Sequence, residues 1–182
     1  MRVSLNIVSA EGNSRVKTLH LLRHAKSSWD EPGLADRERG LNRRGARDAP
    51  RMGRALAAML PAMRLHVSSA RRARLTLEGL CAGWPEIAGR AHAIDEDLYT
   101  FSAGDLRQWL ALRDDEPSAL FLIGHNPALT DLVNQLAGRG ALANLPTAGY
   151  VQLALGVDHW SQLVQGCGTV VTCLFPRQLP RD

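Results

Sequence analysis

An arginine and a histidine, Arg23 and His24, follow directly on the short apolar run Thr18–Leu22. Arginine presents a planar fork of donors that matches phosphate or carboxylate. A neutral imidazole can serve as a base, a metal ligand or a nucleophile. A second histidine, His125, follows Gly124 after the apolar run Ala119–Ile123, and two further arginines, Arg71 and Arg72, follow Ser68 and Ser69. Lys26 and Ser27 stand close enough to His24 to line the same pocket. Any one of these groups is ordinary at the exit of a strand. Their meaning depends on whether the fold brings them to one place.

The intervening elements argue that it does. Gly12, Asn13 and Ser14 are turn formers, so Thr18–Leu22 reads as a buried strand with no helix before it. Residues 30–40, with Pro32 and two glycines, form a loop. Asn42 is a suitable N-cap for a helix on which Met52, Leu56, Met59 and Leu60 recur at helical spacing, ending near Pro61. Pro50 falls within that span and predicts a kink, or a first turn over 43–49 with the main helix restarting at Asp48. Residues 65–68 read as a strand, 71–81 as a helix closed by Gly83 and Pro85, and 91–94 as a weak third strand. A helix starting from Ser102 or Gly104 carries Leu106, Trp109, Leu110 and Leu112 and ends before Pro117. Ala119–Ile123 is the clearest buried strand, and Asn126 as N-cap with Pro127 at the first helical position opens a helix through Leu136. Residues 149–155 and 169–175 complete the sheet as a hairpin with one antiparallel pairing.

This alternation predicts an α/β fold, a three-layer α/β/α sandwich with a mostly parallel central sheet. Residues 1–15 read as an N-terminal extension and 16–182 as a single domain. Parallel strands put their carboxyl ends on one edge of the sheet, where α/β folds bind ligands. Arg23, His24, an arginine of the 71–72 pair and His125 then converge. Two guanidinium groups and two imidazoles suit a dianionic tetrahedral group, of which phosphate is the natural choice. No carboxylate cluster accompanies these strand ends, which speaks against metal-assisted hydrolysis and leaves His24 the role of nucleophile. Arg23, Arg72 and His125 would stabilise the phosphoryl oxygens during transfer. No cofactor and no metal are expected.

Composition narrows the setting. Hydrophobic content of 45% and charged content of 22% suit a globular domain, and no apolar run approaches the ~20 residues of a membrane span. Met1–Glu11 lacks the continuous apolar core of a signal peptide, so a cytoplasmic location is expected. Cys81, Cys167 and Cys173 are odd in number and lack CxxC spacing, arguing for free thiols. The net charge of +4 is concentrated: eleven arginines face two acids, Glu38 and Asp48, between Arg37 and Arg74. That field suits a phosphorylated or acidic partner, although twenty arginines against two lysines could equally reflect codon bias. Aromatic residues do not interleave with the basic stretch, so nucleic acid is not expected. His20 lies inside its strand and reads as structural, and His66, His92 and His159 read as surface or packing residues. Trp29, Trp109 and Trp160 likewise read as packing residues, and Asn42 and Gly45 as capping and close helix packing.

Four pieces in this order carry a resemblance: LLRHAKSSW (21–29), LNRRGARDA (41–49), SSARRARLTLE (68–78) and IGHNPALTDLVNQL (123–136). From about Thr18 to Pro176 the chain resembles the histidine phosphatase superfamily, and within it the short phosphohistidine phosphatase branch. The resemblance implies that His24 is the phosphorylated nucleophile and that Arg23, Arg72 and His125 form the phosphate pocket. Ser69 stands where the family usually has proline, and counting back four residues from Thr76 selects Arg72 over Arg71. Larger members carry an acid after the third strand to protonate the leaving group, and Glu96 and Asp97 lie close to that place. The substrate implied is phosphohistidine on a signalling or phosphocarrier protein. The alternatives are a phosphatase of a small phosphate ester, a phosphomutase, for which about 180 residues leave little chain to hold a sugar acid, and a non-catalytic phosphate-binding module. The sequence leaves the oligomeric state open.

Overall fold

Leu19, Leu21 and Leu22 are fully buried because they lie on a central strand with cores on both faces. The computed structural model describes residues 16–180. Among these residues six strands, β1 (Lys17–Arg23), β2 (Leu65–Ser68), β3 (Ala93–Asp95), β4 (Ala119–Gly124), β5 (Tyr150–Leu155) and β6 (Gly168–Leu174), form one sheet in the order β3-β2-β4-β1-β5-β6. The helices are α1 (Arg43–Ala57), α2 (Arg71–Gly83), the single turn α3 (Pro85–Ala88), α4 (Ala103–Ala111) and α5 (Ala128–Ala137). One face of the sheet packs on α4 and α5 through Leu19, Leu21, Leu120, Leu122 and Leu132. The other packs on α1 and α2 through Leu22, Val67, Phe121, Met52 and Leu80. The result is the expected three-layer α/β/α sandwich. The N-terminal extension expected at residues 1–15 lies outside the described residues. Among the described residues no helix is long and apolar enough to cross a membrane.

Strands β3, β2, β4 and β1 are mutually parallel, whereas β5 is antiparallel to both β1 and β6. Two antiparallel pairings therefore replace the one expected. The cause is the path after α5. That helix runs back from the carboxyl edge of β4, and residues 138–149 return to this edge, where the Ala148 amide reaches the carbonyls of Arg23 and His24. A strand starting there must run against β1.

Helix α1 is continuous across Pro50, without the restart expected at Asp48, and it ends at Ala57 rather than near Pro61. Asn42 caps it, its side chain accepting from the Gly45 amide at 2.9 Å. Two glycines explain how the proline is accommodated. A Cβ at Gly83 would collide with the carbonyl of Pro50, and one at Gly45 with the carbonyl of Lys26. The helix is thus pressed at its start onto the β1 exit and at its middle onto α2, and this packing outweighs one missing backbone bond. Helix α5 begins one residue later than expected, at Ala128, with the Asn126 side chain accepting from the Thr130 amide at 3.3 Å.

Candidate active site

The β1–β4 register pairs Arg23 with Gly124, so the residues that follow, His24 and His125, leave the sheet side by side. The His24 amide donates to the Gly124 carbonyl at 3.0 Å, and the two imidazole rings lie 5.0 Å apart between centroids. Arg72 enters from the first turn of α2, beyond the end of β2. Its Nε lies 3.3 Å from His24 Nε2 and its Nη2 lies 3.4 Å from His125 Nδ1. Arg71 points elsewhere, to the Glu38 carbonyl. Helical phase explains the choice: buried Thr76, one turn after Arg72, accepts from the Ala25 amide at 2.9 Å and donates to the Arg72 carbonyl at 2.6 Å. It ties α2 to the loop carrying His24.

These neighbours fix the protons. Ala25 offers only a carbonyl to His24 Nδ1, at 2.7 Å, so Nδ1 carries the hydrogen. Arg72 Nε can only donate, so Nε2 of His24 holds a lone pair. By the same reasoning His125 Nδ1 faces Arg72 as an acceptor and Nε2–H donates to Ser68 Oγ at 2.7 Å. Both imidazoles are buried, with exposures of 7% and 1%. Burial pushes the His24 pKa down to about 3, opposed by the Ala25 hydrogen bond and aided by the charges of Arg72, Arg23 and Arg39. His125 is also lowered to about 3, by burial first and then by His24 and Arg72. The site therefore holds two neutral imidazoles under a positive field.

Arg23 completes that field. Its Nη1 donates to the Leu145 carbonyl at 2.9 Å, and its buried Nε has no hydrogen-bond partner among the described residues. Burial also lowers its pKa. Arg72 is held from its far edge by Asp36, whose backbone carbonyl accepts from Nη1 and whose Oδ2 accepts from Nη2 at 2.8 Å. The same carboxylate accepts from Tyr99 Oη and Arg39 Nη1, each at 2.8 Å. Partial burial pushes the Asp36 pKa up, but hydrogen bonds from Tyr99 and Arg72 outweigh it and keep the carboxyl below the usual range. The rings of Tyr99 and Phe101 cover His125 at 5.4 and 5.5 Å.

The sequence-expected acids lie outside this cluster. The Glu96 carboxylate binds Arg37 Nη2 and accepts from Ser69 Oγ at 3.0 Å, and the Arg37 hydrogen bond leads the lowering of its pKa. Asp97 is exposed in the loop after β3, its amide donating to Asp95 Oδ1. Among the described residues neither side chain is bonded to His24, Arg72 or His125. Ser27 Oγ accepts from Arg39 Nη2 at 2.6 Å, and Lys26 contributes its backbone to the start of α1. Trp29, expected to pack, is 72% exposed beneath the Arg39 guanidinium, whereas Trp109 and Trp160 are buried. Asp36, Arg39 and Tyr99 were not singled out in the sequence. Asp36 sits in a turn-rich loop with no periodicity, and nothing in its spacing marks it.

Residues 19–121 match the histidine phosphatase superfamily (branch 1). An uncharacterized protein of Mycobacterium tuberculosis is 31% identical over 166 residues, covering 86% of this chain and all of its own length. A SixA structure from Agrobacterium tumefaciens superposes with a TM-score of 0.71 at 24% identity, over 88% of this chain and 98% of its own. The structure of the protein histidine phosphatase SixA complexed with tungstate gives a TM-score of 0.73 at 21% identity, with the same coverage. The chain belongs to the histidine phosphatase superfamily.

Proposed function

We propose that this chain is a metal-independent phosphatase that removes the phosphoryl group from phosphohistidine on a protein through a phospho-His24 intermediate. The observation that carries the reading is the lone pair of His24 Nε2, directed at the cationic edge of Arg72 with His125 beside it. A phosphoryl group at that edge would accept from Arg72 Nε and Nη2 and from the buried Nε of Arg23. Tungstate, held by the SixA relative, is a tetrahedral oxyanion of the kind such donors fit.

In the first step His24 Nε2 forms a bond to phosphorus as the bond to the substrate imidazole breaks; that ring enters protonated on its other nitrogen, takes the bonding pair and leaves neutral. In the second, water attacks phosphorus, the pair of the P–N bond returns to His24 Nε2, and the water's protons leave on dihydrogen phosphate. The charge developing on the oxygens is met by Arg23, Arg72 and a His125 that takes up a proton as the dianion arrives. Glu96 and Asp36 are both held as carboxylates by arginine and are poor proton donors. An imidazole leaving group departs more readily than an alkoxide and needs less general-acid help, which favours phosphohistidine over a phosphate ester.

The test is a comparison of a histidine-phosphorylated phosphocarrier protein with p-nitrophenyl phosphate as substrates, in EDTA throughout. The phosphoprotein should be preferred in kcat/KM, and quenching early should trap an acid-labile, base-stable phosphoryl group on His24. Label on His125, or activity lost in EDTA and restored by one metal, would overturn the mechanism. Preference for the ester would overturn the substrate.

A further inference from the structure

On the side of the site away from Glu96 the structure holds a second concave feature, a groove of about 840 Å³. Helix α1 forms one wall, where Arg44, Arg47 and Arg51 fall on one face because they are spaced three and four residues apart. The opposite wall is the segment with Asn144, Pro146 and Thr147, and Phe175, Pro176 and Arg177 close the end. Among the described residues four guanidinium groups thus line the groove against a single carboxylate, that of Asp48, which is buried on α1 and spans Arg44, Arg47 and Arg51 at 3.2 to 3.6 Å. Arg51 is itself buried and donates to the carbonyls of Leu179 and Pro180. Arg44 and Arg47 keep side-chain exposures of 56% and 62%, and Arg177 is exposed at the far end.

This groove is separated from the candidate active site by one strip of chain. Leu145 presents its carbonyl to Arg23 inside the site, while Thr147, two residues on, accepts from Arg44 Nη2 at 3.2 Å on the groove side. A chain lying in the groove would therefore run beside any phosphorylated residue inserted toward His24. An inorganic phosphate does not need such a volume. The pairing of exposed arginines with the apolar surfaces of Phe175, Pro146 and Pro176 suits an extended acidic peptide with apolar side chains between its carboxylates.

We infer that the groove between α1 and residues 143–147 docks an acidic segment of the phosphorylated protein substrate. The inference rests on the phosphoprotein reading above for the identity of its occupant. Docking there gives a protein substrate binding energy that a small ester lacks, and it acts mainly on encounter and KM. Among the described residues the groove's one aromatic ring, Phe175, already faces the Arg177 guanidinium at 5.7 Å, which leaves no stacking platform for nucleic acid bases there.

The test uses the full chain, a fluorescein-labelled peptide of about a dozen residues alternating glutamate and aspartate with leucine, and the double variant Arg44→Glu, Arg47→Glu. Both side chains are exposed and Asp48 retains Arg51, so the fold is expected to survive, and Arg177→Glu serves as an independent variant. Anisotropy should show salt-sensitive peptide binding that weakens about tenfold or more in the double variant. The variant should raise KM for the phosphohistidine protein and leave p-nitrophenyl phosphate turnover unchanged. No binding by the wild type, equal affinity in both variants, or equally tight binding of polyuridylate at the same residues would overturn the groove. Peptide binding that the variants weaken, without turnover of the phosphoprotein, would instead retain the groove and overturn the substrate reading.

Discussion

His20 and His24 lie four residues apart, one inside β1 and one just past its end, and both are buried imidazoles with lowered pKa values, about 4 and about 3. Their surroundings differ in kind. His20 packs against Phe121 and Tyr150, with ring centroids at 5.7 and 6.0 Å and those two rings 5.9 Å from each other, and its Nδ1 shares a hydrogen bond with Tyr150 Oη at 2.7 Å. Its pKa falls through burial alone. His24 has one nitrogen fixed by a backbone carbonyl and the other aimed at a guanidinium, and three arginines add to the effect of burial. A depressed histidine pKa is thus no mark of function by itself. The mark is a nitrogen whose lone pair faces positive charge, a position that a strand interior packed against two aromatic rings cannot supply.

Replacing each histidine separates the two regions most sharply. His24→Ala should reduce turnover by a factor of about 10⁴ or more, since it removes the atom proposed to form the bond to phosphorus, and should leave thermal stability close to wild type. His20→Leu should do the reverse. It keeps volume but leaves Tyr150 Oη without its partner in the core, at a cost of about 1–3 kcal/mol, with kcat/KM nearly unchanged. Urea denaturation and steady-state kinetics on both variants check this. Comparable losses of activity would erase the distinction. A smaller effect is expected at Asp36, which touches neither imidazole and holds Arg72 from behind. Asp36→Asn should lower kcat/KM by about 10- to 100-fold through a misplaced guanidinium, while Asp97→Asn changes little. If Asp36→Asn acts only by destabilising the fold, kcat/KM per folded molecule will match wild type.

The same contrast shows what the sequence makes legible. Strand exits are readable because an apolar run ends abruptly in polar residues, and this located Arg23, His24 and His125 and the edge they share. Arg72 was selected over Arg71 through the family resemblance, by counting back four residues from Thr76, and the structure places the two one turn apart on the buried face of α2. Asp36 and Tyr99 were not legible, since their loops carry no period and their roles arise only when the loops after β1 and β3 meet beside Arg72. The direction of β5 was hidden for a related reason. It is set by where residues 138–149 return, and backbone bonds from Ala148 to Arg23 and His24 have no sequence signature. The unbroken α1 was decided by the close approach of Gly83 to Pro50, a tertiary contact that local helix propensity opposes.

The smallest effect, and the one most specific to His20, lies in the pH dependence of stability. An unfolded chain binds a proton at each histidine near pH 6.5, whereas folded His20 does so only near 4 and folded His24 and His125 only near 3. Below pH 6.5 the unfolded state therefore carries more protons, and stability falls as pH is lowered. Above 6.5 these three imidazoles contribute no slope. Each contributes up to about 1.4 kcal/mol per pH unit within its own window, which closes near pH 4 for His20 and near pH 3 for the other two. His20→Leu removes one of these contributions, so its stability should decline with falling pH less steeply than wild type by up to about 1.4 kcal/mol per unit. Between pH 6 and 5 most carboxylates stay ionised in both states, which keeps the comparison clean. The two stability curves, measured by urea denaturation at half-unit steps, should converge as pH falls, because the variant is the weaker at neutrality. Parallel curves would mean that His20 titrates alike in both states, and that its buried place against Phe121 and Tyr150 admits a proton after all.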